Sequence, residues 1–504
     1  METPCENGGG DNYTMPVGVI ASTHSSEEWE PREKDLKRYI HFDRQISPDK
    51  IKKIANDPNS VAAHPFFPLL RFHEEWTKFR KGNVRIKKAR PLRYASRIDA
   101  AIYARYRSKL SQYYEAELIK RGLEDIPVAY RKISKIGGGN KSNIEIARDV
   151  FDAIKTMGDV TVTVVDIKSY FESLDHQRIN DVWQKLIGSP LPPDHLAVFS
   201  ALTKYSIVDV DKLFERLNLE ELSPRGNRAQ RRKRGIDSLR DKGFRQICSP
   251  GEFRELVAGS HKDYPSLIQK NGFDFGIPQG TPISDIIANM YLIDFDDEVN
   301  SWVTSKGGLY RRYSDDIIIV IPKIQNSDPH TSRLYLQSKI KNYGKHLRIQ
   351  DKKVCIVEFE HMNKGLLFNH IFGDASKNGL EFLGFEFDGT TVKLRNSTLS
   401  NAWRKMKKRA YGHASRFVKR YRSKGRLWIY ANFPRDYLEK DILQNVTFNQ
   451  DTGFETWTFV KYVRRASRAF IDFEAVFSHQ TKRYRRHTKL VIEKALHEAI
   501  RKHT

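Results

Sequence analysis

The sequence predicts an α+β protein, and three stretches carry that reading. "DVTVTVVD" (159–166) is a β-branched run that ends on an acid, "RRYSDDIIIV" (311–320) reads as a hairpin with two aspartates at its tip, and the last fifth of the chain is helical and basic. At 504 residues, 39% of them hydrophobic, the chain can bury a substantial core and has room for two to four structural units.

Residues 1–30 are rich in Gly, Ser, Asn and Glu without periodicity, which predicts a flexible tail. Helical text follows over Asp35 to Lys53 and again over Phe72 to Lys81. "KGNVRIKKARPLRYA" then predicts an extended hairpin leading into the long helix "RIDAAIYARYRSKLSQYYEAELIKRG". The glycines of "KIGGGNKSN" open a further helix, the strand ending at Asp166 comes next, and "HQRINDVWQKLIG" is helical. Between about 190 and 271 the composition shifts to a dense charge run, "SPRGNRAQRRKRGIDSLRDKGFRQ", read as a basic insertion. Strand-like text resumes at "GFDFGIPQG", and "TPISDIIANMYLIDFDDEV" is a long helix. After the hairpin come a helix, short strands at "KVCIVEF" and "LEFLGFEFDGTTVKL", and basic helices from Thr398 onward, interrupted by a loop near "NVTFNQDTGFETW". No internal repeat is present. The expected units are the tail 1–30, an N-terminal helical and extended unit 31–160, a sheet unit 161–395 carrying the insertion, and a basic helical unit 396–504.

Charge narrows the function classes. The formal net charge is +25, and residues 401–504 hold 25 Lys and Arg against 9 Asp and Glu. A one-signed field of that size favours a polyanionic partner, with nucleic acid first. No apolar run reaches membrane-spanning length and the N-terminus lacks a signal-peptide pattern, so a soluble, cytoplasmic protein without membrane contact is expected. Cys5, Cys248 and Cys355 form no Cys-x-x-Cys pair, which argues against a zinc site.

Asp166 at a strand end and Asp315 with Asp316 at a hairpin tip predict three carboxylates in one small space. Mutual repulsion there is severe unless divalent cations neutralise it, so the expected cofactor is Mg²⁺, two ions, suited to in-line phosphoryl transfer. "GGGNKS" (Gly137 to Ser142) is set aside as a phosphate loop, because Asn140 stands where that motif needs Gly.

Taken in order, "VVDIKSYF", "GIPQGTPIS", "YSDD", "HLRIQDKKV" and "FLGF" resemble the successive palm motifs of reverse transcriptases. The resemblance covers Val84 to Leu394 and is nearest to prokaryotic enzymes related to retron and group II intron reverse transcriptases. It implies a right-hand polymerase, with fingers, a palm built on an antiparallel sheet, and a helical thumb. It also implies RNA-directed DNA synthesis from deoxynucleoside triphosphates, with an RNA template as partner and DNA as product.

Residue by residue, the resemblance assigns Asp166, Asp315 and Asp316 as catalytic metal ligands, with Ile167 lending a backbone carbonyl. Phe171 matches the aromatic gate against a 2′-hydroxyl, and Gln279 with Gly280 match residues along the incoming nucleotide. Lys88 and Arg90 match basic finger residues that grip the triphosphate. Lys353 matches a lysine that protonates pyrophosphate, with Lys352 as its stand-in and Gln350 where the family has Asn. Phe382, Leu383 and Gly384 match the primer grip.

Three departures bear on the subtype. The spacing from Asp166 to Asp315 is long, the thumb lacks the Val-Thr-Gly signature of retron enzymes, and no ribonuclease H, His/Asn endonuclease or integrase-like set is apparent. These point toward the reverse transcriptases of antiphage defence, which work with a dedicated noncoding RNA and several of which form homo-oligomers. Untemplated or protein-primed DNA synthesis, and an intron-like maturase or RNA-binding scaffold, stand as alternative functions.

Overall fold

The structure, a computed structural model, describes residues 28–78, 86–135, 137–219, 239, 242–324, 327–445 and 459–504; side chains are described outside 74–90, 444–445 and 485. Three sheets organise the described residues. The first contains β1 (Leu69–Lys78), β2 (Ile86–Tyr94), β4 (Ser206–Asp209) and β5 (Ile268–Lys270) in the order β2-β1-β4-β5. The second is five-stranded, from β3 (Val160–Asp166), β6 (Leu309–Tyr313), β7 (Asp316–Pro322), β8 (Cys355–His361) and β9 (Leu366–Phe372) in the order β6-β7-β3-β8-β9, with every neighbour antiparallel. A small third sheet joins β10 (Leu380–Phe382), β11 (Phe385–Phe387) and β12 (Val392–Leu394).

The five-stranded sheet is covered on both faces, which is why β7 reads as a continuous apolar run and why Thr163 of β3 is buried as fully as Val162 beside it. Val165 of β3 and Ile317 and Ile319 of β7 enter one core with helices Arg97–Arg121, His176–Ile187, Ser284–Tyr291 and Ile293–Thr304. Val160 and Val162 with Ile318 and Val320 enter a second core, shared with helix Asn143–Met157, the third sheet and the C-terminal helices. Clamped between two cores, the central strands hold their ends in fixed register.

The α+β composition, the strand ending at Asp166, the hairpin, and the helices at 97–121, 143–157 and 176–187 agree with the sequence reading. Three expectations do not. The stretch Phe72 to Lys81, expected to be helical, is strand as far as it is described, because β1 pairs with β2 at nine successive positions and that ladder overrides local helix preference. Asp35 to Lys53 is helical only from Pro48: Ser47 caps the helix, Pro48 starts it, and upstream Asp43 is held by the Arg97 guanidinium (3.3 Å) and the Ile98 N–H (3.1 Å) in an irregular run. "GFDFGIPQG" is a loop after β5; its backbone hydrogen bonds go to Phe171, Leu174 and His176 and to Arg93 of β2, with a single bridge between Phe275 and Asp175 in place of a sheet strand.

Within 190–271 the described residues supply helix Pro193–Thr203 and the strands β4 and β5, so this stretch completes the first sheet by pairing β4 parallel to β1. The centre of its charge run, the tail through residue 27 and the loop at 446–458 lie outside the described residues. Among the described residues, no helix is long and apolar enough to cross a membrane.

Candidate active site

Asp166 is the last residue of β3 and Asp316 the first of β7, and the two are paired directly across the antiparallel ladder. Directly opposed residues project to the same face, so their carboxylates are neighbours by register alone. The connection from β6 to β7 is the two-residue turn Ser314–Asp315. Ser314 adopts φ +60°, the left-handed conformation that tight hairpins use, and Asp315 follows it at the tip. Two backbone hydrogen bonds lock the ends together: the Ile167 N–H donates to the Asp315 carbonyl (2.9 Å), and the Gln350 N–H donates to the Asp166 carbonyl (2.8 Å).

The turn stands on a buried ionic platform. Arg312, fully buried in β6, donates from Nε to Asp296 Oδ1 (2.7 Å) and from Nη2 to Asp296 Oδ2 (2.5 Å), and Asp296 is buried as completely. The same guanidinium reaches the Ser314 carbonyl (3.2 Å) and the Asn289 carbonyl (3.1 Å), while the Tyr310 hydroxyl adds a third hydrogen bond to Asp296 (2.7 Å). The turn carrying Asp315 is thereby tied to helix Ile293–Thr304 behind it.

Electrostatics follow from this crowding. Burial in the cleft, with the charges of Asp315 and Asp166, pushes the Asp316 carboxyl up to about 7. Its side chain opens to solvent, so the like charges are the more durable part of that shift. Asp166 is buried and also raised, by burial first and then by Asp315, against the opposing pull of Lys353. Lys353 Nζ lies 2.5 Å from Asp166 Oδ2. Among the described residues no three His, Cys, Asp or Glu side chains converge closely enough to hold a metal as they stand. The donor set nonetheless suits a hard divalent cation, being all carboxylate, with Asp166 and Asp316 both raised by burial and by their neighbouring carboxylates.

Phe171 lies in a 3₁₀ turn, Tyr170–Glu172, half-buried against the ring of Tyr170 (centroids 5.9 Å apart). Its carbonyl accepts from the Ile277 N–H (2.8 Å), and the Gln279 carbonyl accepts from the Arg93 N–H of β2 (3.0 Å). The 276–280 loop therefore bridges the turn that follows β3 to the first sheet. Gly280 (φ +114°) is required there by close approach: a Cβ would lie 2.4 Å from the Arg93 carbonyl oxygen.

Lys88 and Arg90 belong to β2 by their backbone, opposite Trp76 and Glu74 of β1, while their side chains lie outside the described residues. Lys352 is exposed beside Lys353. Phe382, Leu383, Gly384 and Phe385 form a tight hairpin with φ +43° at Leu383 and +95° at Gly384, the turn geometry that joins β10 to β11. Phe382 is buried in the second core, so only the Leu383–Gly384 tip stands at the turn, with the Gly384 carbonyl taking the Thr398 hydroxyl (3.1 Å).

No family model matches the chain, and no curated protein matches it. Among solved structures it is similar to the apo telomerase of Candida tropicalis, with a TM-score of 0.37 at 12% identity over 86% of this chain and 62% of that one. It is also similar to the telomerase of Candida albicans in complex with a TWJ fragment of telomeric RNA, with a TM-score of 0.34 at 12% identity over 92% of this chain and 65% of that one. This chain spans less than two thirds of the length of either. At such TM-scores the likeness carries neither activity nor detail of layout to this chain.

Proposed function

We propose that the chain is an RNA-directed DNA polymerase of right-hand architecture, with its reaction centre where β3 ends and the β6–β7 hairpin turns. The observation that supports this best is the register pairing of Asp166 with Asp316, with Asp315 on the adjoining turn and Lys353 on Asp166. Asp166, Asp315 and Asp316, with the Ile167 carbonyl, would hold Mg²⁺, which when bound supplies charge neutralisation and Lewis acidity for phosphoryl transfer.

The chain's own residues do the remaining work. Phe171 closes the cleft beneath the sugar, and its backbone tie to Ile277 couples that ring to the Gln279–Gly280 loop along which the nucleotide lies. Lys353 carries a proton at Asp166 Oδ2, from where it can pass to the departing pyrophosphate once Asp166 has another counter-ion. Lys88 and Arg90 of β2 grip the triphosphate, Leu383 and Gly384 meet the primer strand, and the basic C-terminal helices follow the nucleic-acid backbone. The finer reading is a chain serving phage defence, with a dedicated noncoding RNA as template and DNA as product.

Primer extension on an RNA template by purified protein tests the proposal. The wild type should add deoxynucleotides, and the Asp315→Ala/Asp316→Ala variant should bind RNA equally well without extending the primer. Extension by the double variant would refute the assignment.

A further inference from the structure

Arg93 lies in β2 beside the Gln279–Gly280 loop, 8% exposed, and its guanidinium is short of partners. Nε and Nη1 are buried without any hydrogen-bond acceptor. Among the described residues Nη2 has only Glu172 Oε1, at a loose 3.5 Å, and the ring of Tyr205 lies 5.5 Å from the guanidinium carbon. The residue opposite on β1 is Arg71, a like charge already committed to Asp209 (3.3 Å), so the directly opposed neighbour does not compensate Arg93. Its backbone, by contrast, is held firmly, with the N–H on the Gln279 carbonyl and the C=O packed against Gly280. Buried arginines are normally saturated, and an unsatisfied buried donor needs an explanation.

The geometry points to a binding site for a phosphate group. We propose that Arg93 receives a phosphoryl group of the bound nucleic acid or nucleotide, and that Glu172 is a placeholder that leaves when the anion arrives. Once Glu172 has left Nη2, that nitrogen forms a two-point edge with either donor that now lacks an acceptor, Nε on one side of the fork or Nη1 on the other, and each edge matches two phosphate oxygens bidentately. Glu172 can yield because its side chain is about half exposed (48%) and its contact with Arg93 is longer than a good charge-assisted hydrogen bond. Glu172 also directly follows Phe171, so its departure would occur beside the sugar gate. The location of the site takes its meaning from the polymerase reading; the binding test does not need it.

The experiment measures binding by the full chain of two probes, a labelled RNA–DNA primer–template duplex and dTTP, for wild type, Arg93→Met, Arg93→Lys and Glu172→Gln. If the group is a backbone phosphate, Arg93→Met weakens duplex binding about tenfold and lowers the slope of log affinity against log salt by about one, with Arg93→Lys restoring the slope. If it is the triphosphate, dTTP binding weakens about tenfold while the duplex slope holds. Either outcome supports the site and identifies its source. Glu172→Gln should tighten the same probe that Arg93→Met weakens, and this arm stands if Arg93→Met does not fold. Unchanged binding of both probes by a folded Arg93→Met variant, or by Glu172→Gln, would overturn the proposal. A wild type that binds both probes and makes no DNA would instead count against the polymerase reading alone.

Discussion

Removing the Asp296 carboxylate tests the claim that a buried ion pair holds the Ser314–Asp315 turn. Arg312 and Asp296 are both fully buried, and Asp296 accepts two hydrogen bonds from the guanidinium and one from Tyr310. Asp296→Ala leaves a guanidinium inside the protein with carbonyl partners and no counter-charge. Stripping one member from such a pair costs about 3 to 5 kcal/mol, because the survivor has been desolvated without compensation. The paired variant Asp296→Leu/Arg312→Met removes both charges and should recover most of that loss, remaining about 1 to 2 kcal/mol below wild type through the hydrogen bonds lost at Ser314 and Asn289. Urea unfolding gives the global figure, and amide exchange over 309–322 reads the hairpin locally. If Asp296→Ala costs under about 1 kcal/mol and leaves that exchange unchanged, the platform does not support the turn.

Three other outcomes are expected. Gly280→Ala should lose about 2 kcal/mol or more and loosen the contact with β2, since its Cβ would meet the Arg93 carbonyl at 2.4 Å and its φ is +114°; a neutral melting temperature would refute that packing. Burial pushes the His195 imidazole down from 6.5 to about 4, and its Nδ1 already accepts the Trp183 indole N–H (3.0 Å), so the folded state resists protonation. The unfolded chain takes that proton first, so this contribution is whole above pH 6.5 and is lost as pH falls toward 4, by about 3 kcal/mol. His195→Gln should flatten the urea midpoint over that window relative to wild type, and an unaltered profile would contradict the assignment. Phe171→Ala should reduce discrimination against ribonucleotides about tenfold, read as a ratio of incorporation rates so that partial unfolding cancels; an unchanged ratio removes the gate role.

The residues that set the site were legible in the sequence where they sat on strong local signals. The β-branched run "VTVTVVD" announced a strand ending on Asp166, and "YSDD" before a second β-branched run announced the hairpin, so the strand end and the turn fell where expected. The placement of Lys353 against Asp166 came with the resemblance, since no local pattern joins residues 187 positions apart. Arg312 escaped the reading, although its parity with Tyr310 on β6 puts both side chains inward, and an inward arginine on a strand implies a buried acid somewhere. Which acid it is depends on the docking of a helix, which strand periodicity does not reveal. The error over 72–78 has a similar origin: "EEWTK" favours helix locally, and its strand conformation depends on pairing with β2. The joining of β4 to β1 is a contact across more than a hundred residues, visible only in the folded chain.

The central claim, that Asp166 and its hairpin partners hold the cations of a DNA-synthesis site, is tested most directly by primer extension on RNA across a Mg²⁺ titration, comparing wild type with Asp166→Asn. Synthesis that rises and saturates with Mg²⁺ in the wild type, and stays absent at every concentration in the variant while RNA binding is retained, is the predicted result. Equal synthesis by the variant, or wild-type synthesis indifferent to chelation, would contradict it.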